Sequence, residues 1–249
     1  MSERNLTYFV SDLHLGAHYF DNAREHEMKV CRWLREIEPR CRRLYLLGDV
    51  LDYWFEYRHV VPRGFTRFFG TLAELADRGV EITWITGNHD IWIFDYLPRE
   101  IGMRCVDGPM EETIDGKRFF LAHGDGMGNV PWSERLMRAT FRCKILQRMF
   151  ASIHPRWTVG LAYGWSASNR TKRKIEAPSP APLIKWMEKN RRDDVDFYIF
   201  GHYHLLFDER MGRSRVLILG DWISNMSYAV FDGKELCVNK IPNTQDTDN

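Results

Sequence analysis

Leu6-Thr-Tyr-Phe-Val-Ser11, followed at once by Asp12-Leu-His14, opens the decisive pattern: a short run of strand formers that ends in a carboxylate and an imidazole. Behind it the segment 22–37 has helical spacing, with Met28, Val30, Cys31, Leu34 and Ile37 apolar. Arg43 to Leu47 returns to strand, Phe65 to Ala76 to helix, and Glu81-Ile-Thr-Trp-Ile-Thr86 to strand. This alternation predicts a βαβαβ layout. The second and third strands close as the first does, on Gly48-Asp49 and on Gly87-Asn88-His89-Asp90.

The second half is less parallel in character. Short strands are expected near Met103 to Val106, Glu111 to Ile114 and Phe119 to His123, the last two joined by a hairpin turn at Asp115-Gly116. A helix over Pro182 to Asn190 precedes strands at Asp196 to Phe200, Val216 to Leu219, Tyr228 to Phe231 and Leu236 to Lys240. The polar tail from Asn243 is expected to fray. Two packed mixed sheets with helices outside, an α/β sandwich, accommodate this order. Two further strand ends carry donors, His123-Gly124-Asp125 and Gly201-His202-Tyr-His204.

Composition excludes several classes. With 249 residues, 44% hydrophobic and 28% charged, the chain suits one large domain and is neither collagen-like nor wholly disordered. Lys+Arg 35 against Asp+Glu 34 leaves +1, so the whole molecule is not a basic body that wraps nucleic acid. The start lacks a long apolar stretch and nothing elsewhere nears the ~18 apolar residues of a spanning helix, so secretion and membrane insertion are not expected. Five scattered cysteines without a C-x-x-C spacing read as reduced cytosolic thiols.

Ligands at the carboxyl ends of strands converge in one crevice, where open α/β sheets bind their ligands. Seven side chains could then cluster: Asp12, His14, Asp49, Asn88, His123, His202 and His204. Carboxylate, amide and imidazole donors without thiolate suit Mn²⁺, Fe²⁺, Zn²⁺ or Co²⁺. Seven donors exceed one ion and suit two that share a bridging carboxylate.

The ordered set, with Asn-His-Asp after a glycine and His-x-His at a late strand end, resembles the calcineurin-like metallophosphoesterase family over about Leu6 to Trp222. The resemblance implies that fold with an inserted helical cap, and a dinuclear metal-dependent hydrolase with two divalent ions, Mn²⁺ foremost. It makes Asp12, His14 and His204 ligands of one ion, Asn88, His123 and His202 ligands of the other, and Asp49 the bridge. His89 would stabilise the transition state or protonate the leaving oxygen, with Asp90 holding its ring.

Within the family the fuller runs Val10-Ser-Asp-Leu-His-Leu-Gly16, Leu47-Gly-Asp-Val-Leu-Asp-Tyr-Trp-Phe55 and Leu121-Ala-His-Gly-Asp125 are similar to the diphosphatases of lipid A biosynthesis. That likeness implies hydrolysis of UDP-2,3-diacylglucosamine to UMP and 2,3-diacylglucosamine 1-phosphate. Two departures from that branch are His89, where many of its members carry Arg, and Gly128-Asn-Val-Pro-Trp132 in place of an acidic pair. Other nucleotide or lipid-linked diphosphates, or a phosphodiester, are the alternative substrates, and a non-catalytic scaffold is the third possibility.

One stretch stands apart. Arg135 through Ile175 holds ten Lys and Arg and no Asp or Glu, interleaved with Leu136, Met137, Phe141, Ile145, Leu146, Met149 and Phe150 at helical spacing. It reads as a basic amphipathic cap over 131–178 within a single domain of 1–249, fitted to a surface with both negative charge and hydrocarbon, or as a solvated helix pair packed on the core. The resemblance places substrate contacts at Ser166, Asn169, Arg170 and Arg173. The partners expected are a lipid-linked sugar nucleotide and the inner-membrane surface, touched peripherally from the cytoplasm, with neither nucleic acid nor a protein partner indicated.

Overall fold

The structure, a computed structural model, describes residues 4–128, 130–158 and 179–241. Strand β1 (Leu6–Val10) is buried along its length and leads into helix α1 (Ala23–Ile37). Asn22 caps that helix by accepting the Glu25 N–H on its side-chain oxygen at 3.0 Å. Strand β2 (Cys41–Leu47), helix α2 (Thr66–Asp77) and strand β3 (Glu81–Ile85) complete the expected βαβαβ unit, with β1, β2 and β3 parallel. A short helix α3 (Tyr96–Ile101) then leads to β4 (Arg104–Val106), parallel to β3.

The hairpin of β5 (Met110–Ile114) and β6 (Lys117–Ala122) turns at Asp115-Gly116, both with positive φ (49° and 80°), as a type I′ turn requires. Helices α4 (Trp132–Arg142), α5 (Lys144–Ala151) and α6 (Ala181–Asn190) follow, then β7 (Phe197–Phe200), β8 (Leu206–Met211), β9 (Ser214–Leu219), β10 (Ser227–Phe231) and β11 (Leu236–Lys240). One sheet has the order β11-β10-β1-β2-β3-β4 and the other β5-β6-β7-β9-β8. Each is mixed: β10 runs antiparallel to β1, whereas β6, β7 and β9 are mutually parallel.

Alternation along the strands sets the layers. In β2, Leu44 and Leu46 meet Val30, Leu34, Phe68 and Leu72 of the helices, whereas Tyr45 and Leu47 face the other sheet. In β7, Ile199 joins that inter-sheet core while Tyr198 and Phe200 pack outward on Leu183 and Met187 of α6. Phe9 joins the sheets by stacking on Tyr45 (5.2 Å, 12°) and on Phe119 of β6 (5.5 Å, 17°). Two helix-flanked mixed sheets agree with the sequence expectation.

Two elements escaped the sequence pattern. Strand β8 carries Asp208, Glu209 and Arg210 mid-strand, the charged signature of a sheet edge. Helix α3 is one and a half turns long with Pro98 inside it, and the Glu56 carboxylate, from outside the helix, accepts the N–H groups of Phe94, Asp95 and Tyr96 at its start.

Candidate metal centre

The donor motifs follow the carboxyl ends of β1, β2, β3, β6 and β7 directly. The loops behind β1 and β2 continue the strand pairing: the N–H groups of Asp12 and His14 donate to the carbonyls of Gly48 and Asp49, each at 3.0 Å. The two sheets are tied together at the same edge. The His202 N–H donates to Asp12 Oδ2 (2.9 Å), and His123 Nδ1 lies 2.9 Å from the Leu47 carbonyl oxygen. Donating that proton leaves His123 Nε2 as the atom presented to the cluster.

Backbone strain concentrates here. Asp12, His14, Asp49, His202 and His204 have φ of 54°, 45°, 50°, 71° and 52°, five of the eight non-glycine residues with positive φ among those described. Each such conformation costs about 1–3 kcal/mol and persists where the surroundings over-determine it. Two glycines make the close approach possible. A Cβ on Gly87 would land in the Asp49 carboxylate, and one on Gly201 would lie 2.6 Å from Asp12 Oδ2.

Three groups have ligand atoms within 4.8 Å of one another: Asp12, His14 and His204; His14, Asp49 and His89; and Asp49, His123 and His202. Asp49 Oδ2 is 3.9 Å from His14 Nε2, 3.9 Å from His89 Nε2 and 3.3 Å from His123 Nε2. Asp12 Oδ1 is 3.8 Å from His14 Nε2 and 3.7 Å from His204 Nε2. Asn88 Oδ1 lies 3.3 Å from His123 Nε2. All seven donors expected from the sequence therefore meet in one crevice. Asp12 Oδ1 and Asp49 Oδ2 are buried carboxylate oxygens with no hydrogen-bond donor among the described residues. Such atoms are costly unless a cation faces them, so this donor set fits divalent metal ions.

Electrostatics agrees. Burial pushes the Asp12 carboxyl up against the attraction of His204 and His123. Burial acts on Asp49 in the same sense, yet His123 and His89 beside it hold it well below the usual carboxylate range. Burial is the largest single influence on His123 and would lower it, but the charge and hydrogen bond of Asp49, joined by the Asp12 and Asp125 charges, together push it up to about 10. The crevice is thus built to stabilise positive charge.

The imidazoles are oriented by groups the motifs did not single out. Asp52 Oδ1 lies 3.3 Å from His14 Nδ1 and 3.5 Å from His89 Nδ1, and the Asp52 carbonyl lies 2.9 Å from His89 Nδ1. Asp221 Oδ2 lies 3.3 Å from His204 Nδ1, while its Oδ1 accepts the N–H groups of Ser224 (2.8 Å) and Asn225 (2.9 Å). Burial would raise Asp221, but His204 and those N–H groups bring it down to about 2. Asp221 follows β9 through Gly220, repeating the Gly-Asp pattern behind β2, which is the signal that would have found it.

Asp90 has a different role from the one expected. Its carboxylate, fully buried, accepts the N–H groups of Gly87 (2.7 Å) and Val50 (2.8 Å) and does not hold the His89 ring. Burial and the nearby Asp49 charge push it up to about 6. Asp90 joins the β2 and β3 loops, and Asp52 orients His89 instead. Ser166, Asn169, Arg170 and Arg173 lie outside the described residues.

The sequence pattern of the calcineurin-like phosphoesterases matches residues 6–206. A UDP-2,3-diacylglucosamine hydrolase of Porphyromonas gingivalis is 44% identical over 252 residues, covering 94% of this chain and 96% of the relative. Another UDP-2,3-diacylglucosamine hydrolase, of Neisseria gonorrhoeae, is 24% identical over 222 residues, covering 87% of this chain and 89% of the relative. A solved archaeal phosphodiesterase superposes with a TM-score of 0.48 at 14% identity, over 95% of this chain and 99% of that one.

Proposed function

The chain belongs to the calcineurin-like phosphoesterase family, a metal-dependent hydrolase family, and on that premise we propose that it hydrolyses the diphosphate of UDP-2,3-diacylglucosamine. The products are UMP and 2,3-diacylglucosamine 1-phosphate, a step of lipid A biosynthesis. The observation that carries this is the 44% identity to a hydrolase of that name, nearly end to end in both chains. The complete donor cluster supports catalysis rather than a scaffold, which has no need of it.

Asp12, His14, Asp49 and His204 would hold one divalent ion, and Asp49, Asn88, His123 and His202 the other, with Mn²⁺ the working metal. When bound, the ions activate the attacking water and neutralise charge on the phosphoryl oxygens. Asp52 and Asp221 turn the Nε2 atoms of His14 and His204 toward the ions by engaging their Nδ1 atoms. His89 gives its Nδ1 proton to the Asp52 carbonyl and keeps Nε2 at the crevice, where it would carry a proton to the leaving phosphate oxygen.

The segment 131–178 is the cap of a single domain, and Ser166, Asn169, Arg170 and Arg173 are its contacts to the sugar, its acyl amide and phosphate. On the described part, Trp132 (77% exposed), Ile145 (67%) and Trp157 (67%) leave an apolar surface beside basic side chains. That suits a cytoplasmic enzyme docking peripherally on the inner membrane, and no described helix is long and apolar enough to cross one. Incubation with UDP-2,3-diacylglucosamine and Mn²⁺, followed by mass spectrometry, should show UMP and the diacylglucosamine 1-phosphate. Cleavage of an aryl phosphodiester without release of UMP from that lipid would assign a different diphosphate substrate.

A further inference from the structure

Resting on the dinuclear reading above, we propose that Arg138 of α4 is a positioning residue for the ion held by His123. It does so through Asp125, which it keeps out of the donor set while fixing the loop that follows His123. Asp125 stands two residues beyond His123, and its side chain is only 10% exposed. Its carboxylate is paired with the Arg138 guanidinium.

The loop has little rigidity of its own. Gly124, Gly126 and Gly128 take φ of 106°, 92° and 109°, and glycine gives up more backbone freedom on ordering than any other residue. Its other ties are neutral: the Met127 N–H donates to the Gly124 carbonyl (3.0 Å), and the Tyr203 hydroxyl donates to the Met127 carbonyl (2.6 Å). Among the described residues Arg138 is its one ionic tie. Gly126 leaves room for it, since a Cβ there would lie 2.6 Å from the guanidinium carbon.

Without Arg138, Asp125 would be a buried carboxylate close to His123 that keeps the attraction of Arg142 but has no ion pair, and a metal ion would be its nearest compensation. The seated helix does not depend on this pair. The Trp92 indole N–H donates to the Phe141 carbonyl (3.0 Å), Trp92 stacks on Phe150 (5.9 Å, 17°), and Arg142 Nε donates to Asp107 (3.0 Å). Removing the Arg138 guanidinium therefore frees the loop and leaves α4 docked.

The test is calorimetric Mn²⁺ titration of wild type, Arg138→Met, Arg138→Lys, Asp125→Asn and, as a control at an exposed position of α4, Arg135→Met, with turnover of a small aryl phosphodiester measured against free Mn²⁺. Wild type should bind two ions. Arg138→Met should bind one of the two about 10–100-fold less tightly and leave the other as in wild type, with turnover recovered at high Mn²⁺ and the diester KM unchanged. Arg138→Lys should recover most of the affinity and Arg135→Met should match wild type. Should Arg138→Met fail to fold, Arg138→Lys and Asp125→Asn carry the comparison, with affinities between the extremes expected. Two ions bound with wild-type affinities in Arg138→Met, or in Asp125→Asn should the first not fold, would overturn this inference alone. Failure of wild type to bind two ions would bring down the dinuclear reading and this inference with it.

Discussion

Gly201→Ala perturbs the crevice by one methyl group and should be costly out of proportion to its size. Gly201 has no positive φ, so the effect is steric rather than conformational. The added Cβ would lie 2.6 Å from Asp12 Oδ2 and 2.8 Å from both Ser11 Cβ and Ser11 Oγ. Ordinary C···O contact begins near ~3.3 Å, so something must move by roughly 0.7 Å. Asp12 is poorly able to yield, because its N–H donates to Gly48 (3.0 Å), its carbonyl accepts from Trp222 (3.1 Å), and its Oδ2 accepts from His202 (2.9 Å). Shifting the carboxylate displaces Oδ1 from His14 and His204. Misplacement on the order of 1 Å costs about 10²-fold in rate, and overpacking of this kind about 1–3 kcal/mol of stability. Gly70→Ala, in α2 with no atom within 4 Å of the new methyl, is the matched control and should stabilise by up to about 1 kcal/mol. Mn²⁺-dependent turnover of an aryl phosphodiester, bound-metal analysis and urea unfolding read all three quantities. Wild-type turnover with two ions bound in Gly201→Ala would refute the claim that Asp12 Oδ1 must sit where it does.

Asp221→Asn should weaken metal affinity about 10–100-fold with activity restored by excess Mn²⁺, since it loosens the His204 ring without deleting a donor; an unchanged metal titration would contradict that orientation. His89→Ala should lower kcat about 10²–10⁴-fold at unchanged metal content, and a missing ion would instead make His89 a ligand, as its place beside His14 and Asp49 permits. Asp12→Asn keeps the acceptor for the His202 N–H while removing a fully buried charge, so without metal it should melt no lower than wild type and should lose most of the stabilisation that Mn²⁺ confers. A full Mn²⁺-dependent rise in its melting temperature would count against Asp12 as a donor.

The parallel half of the fold was legible because short runs of strand formers alternate with helical spacing from Leu6 to Thr86, and the Asp115-Gly116 turn named its hairpin. Strand β8 was not, because an edge strand has solvent on one side and needs no apolar alternation. The donor convergence was legible because each donor stands one to four residues past a strand end. The support of those donors was less so: Asp90 adjoins His89 in sequence, yet neighbouring loop residues point apart, and the ring is met by Asp52 from the β2 loop. Hydrogen bonds of this kind cross between strands thirty to forty residues apart, and no local pattern encodes them.

The short spacing has a mechanical meaning. From the last strand residue to the donor the chain runs two residues at Asp12, two at Asp49, three at Asn88, one at His123 and two at His202. Left-handed backbone at about 1–3 kcal/mol per residue would relax within any longer linker. It is held here because the strands immediately behind it are fully buried: Phe9 between Tyr45 and Phe119, and Leu47 and Ile199 in the same inter-sheet core. Each donor set draws on both sheets, so its internal spacing depends on how closely the sheets pack rather than on either loop alone. A cavity between the sheets, far from any donor, would thus move the Asp12 loop relative to His204 and the Asp49 loop relative to His123 and His202, and the core is part of what sets the donor spacing within each metal group.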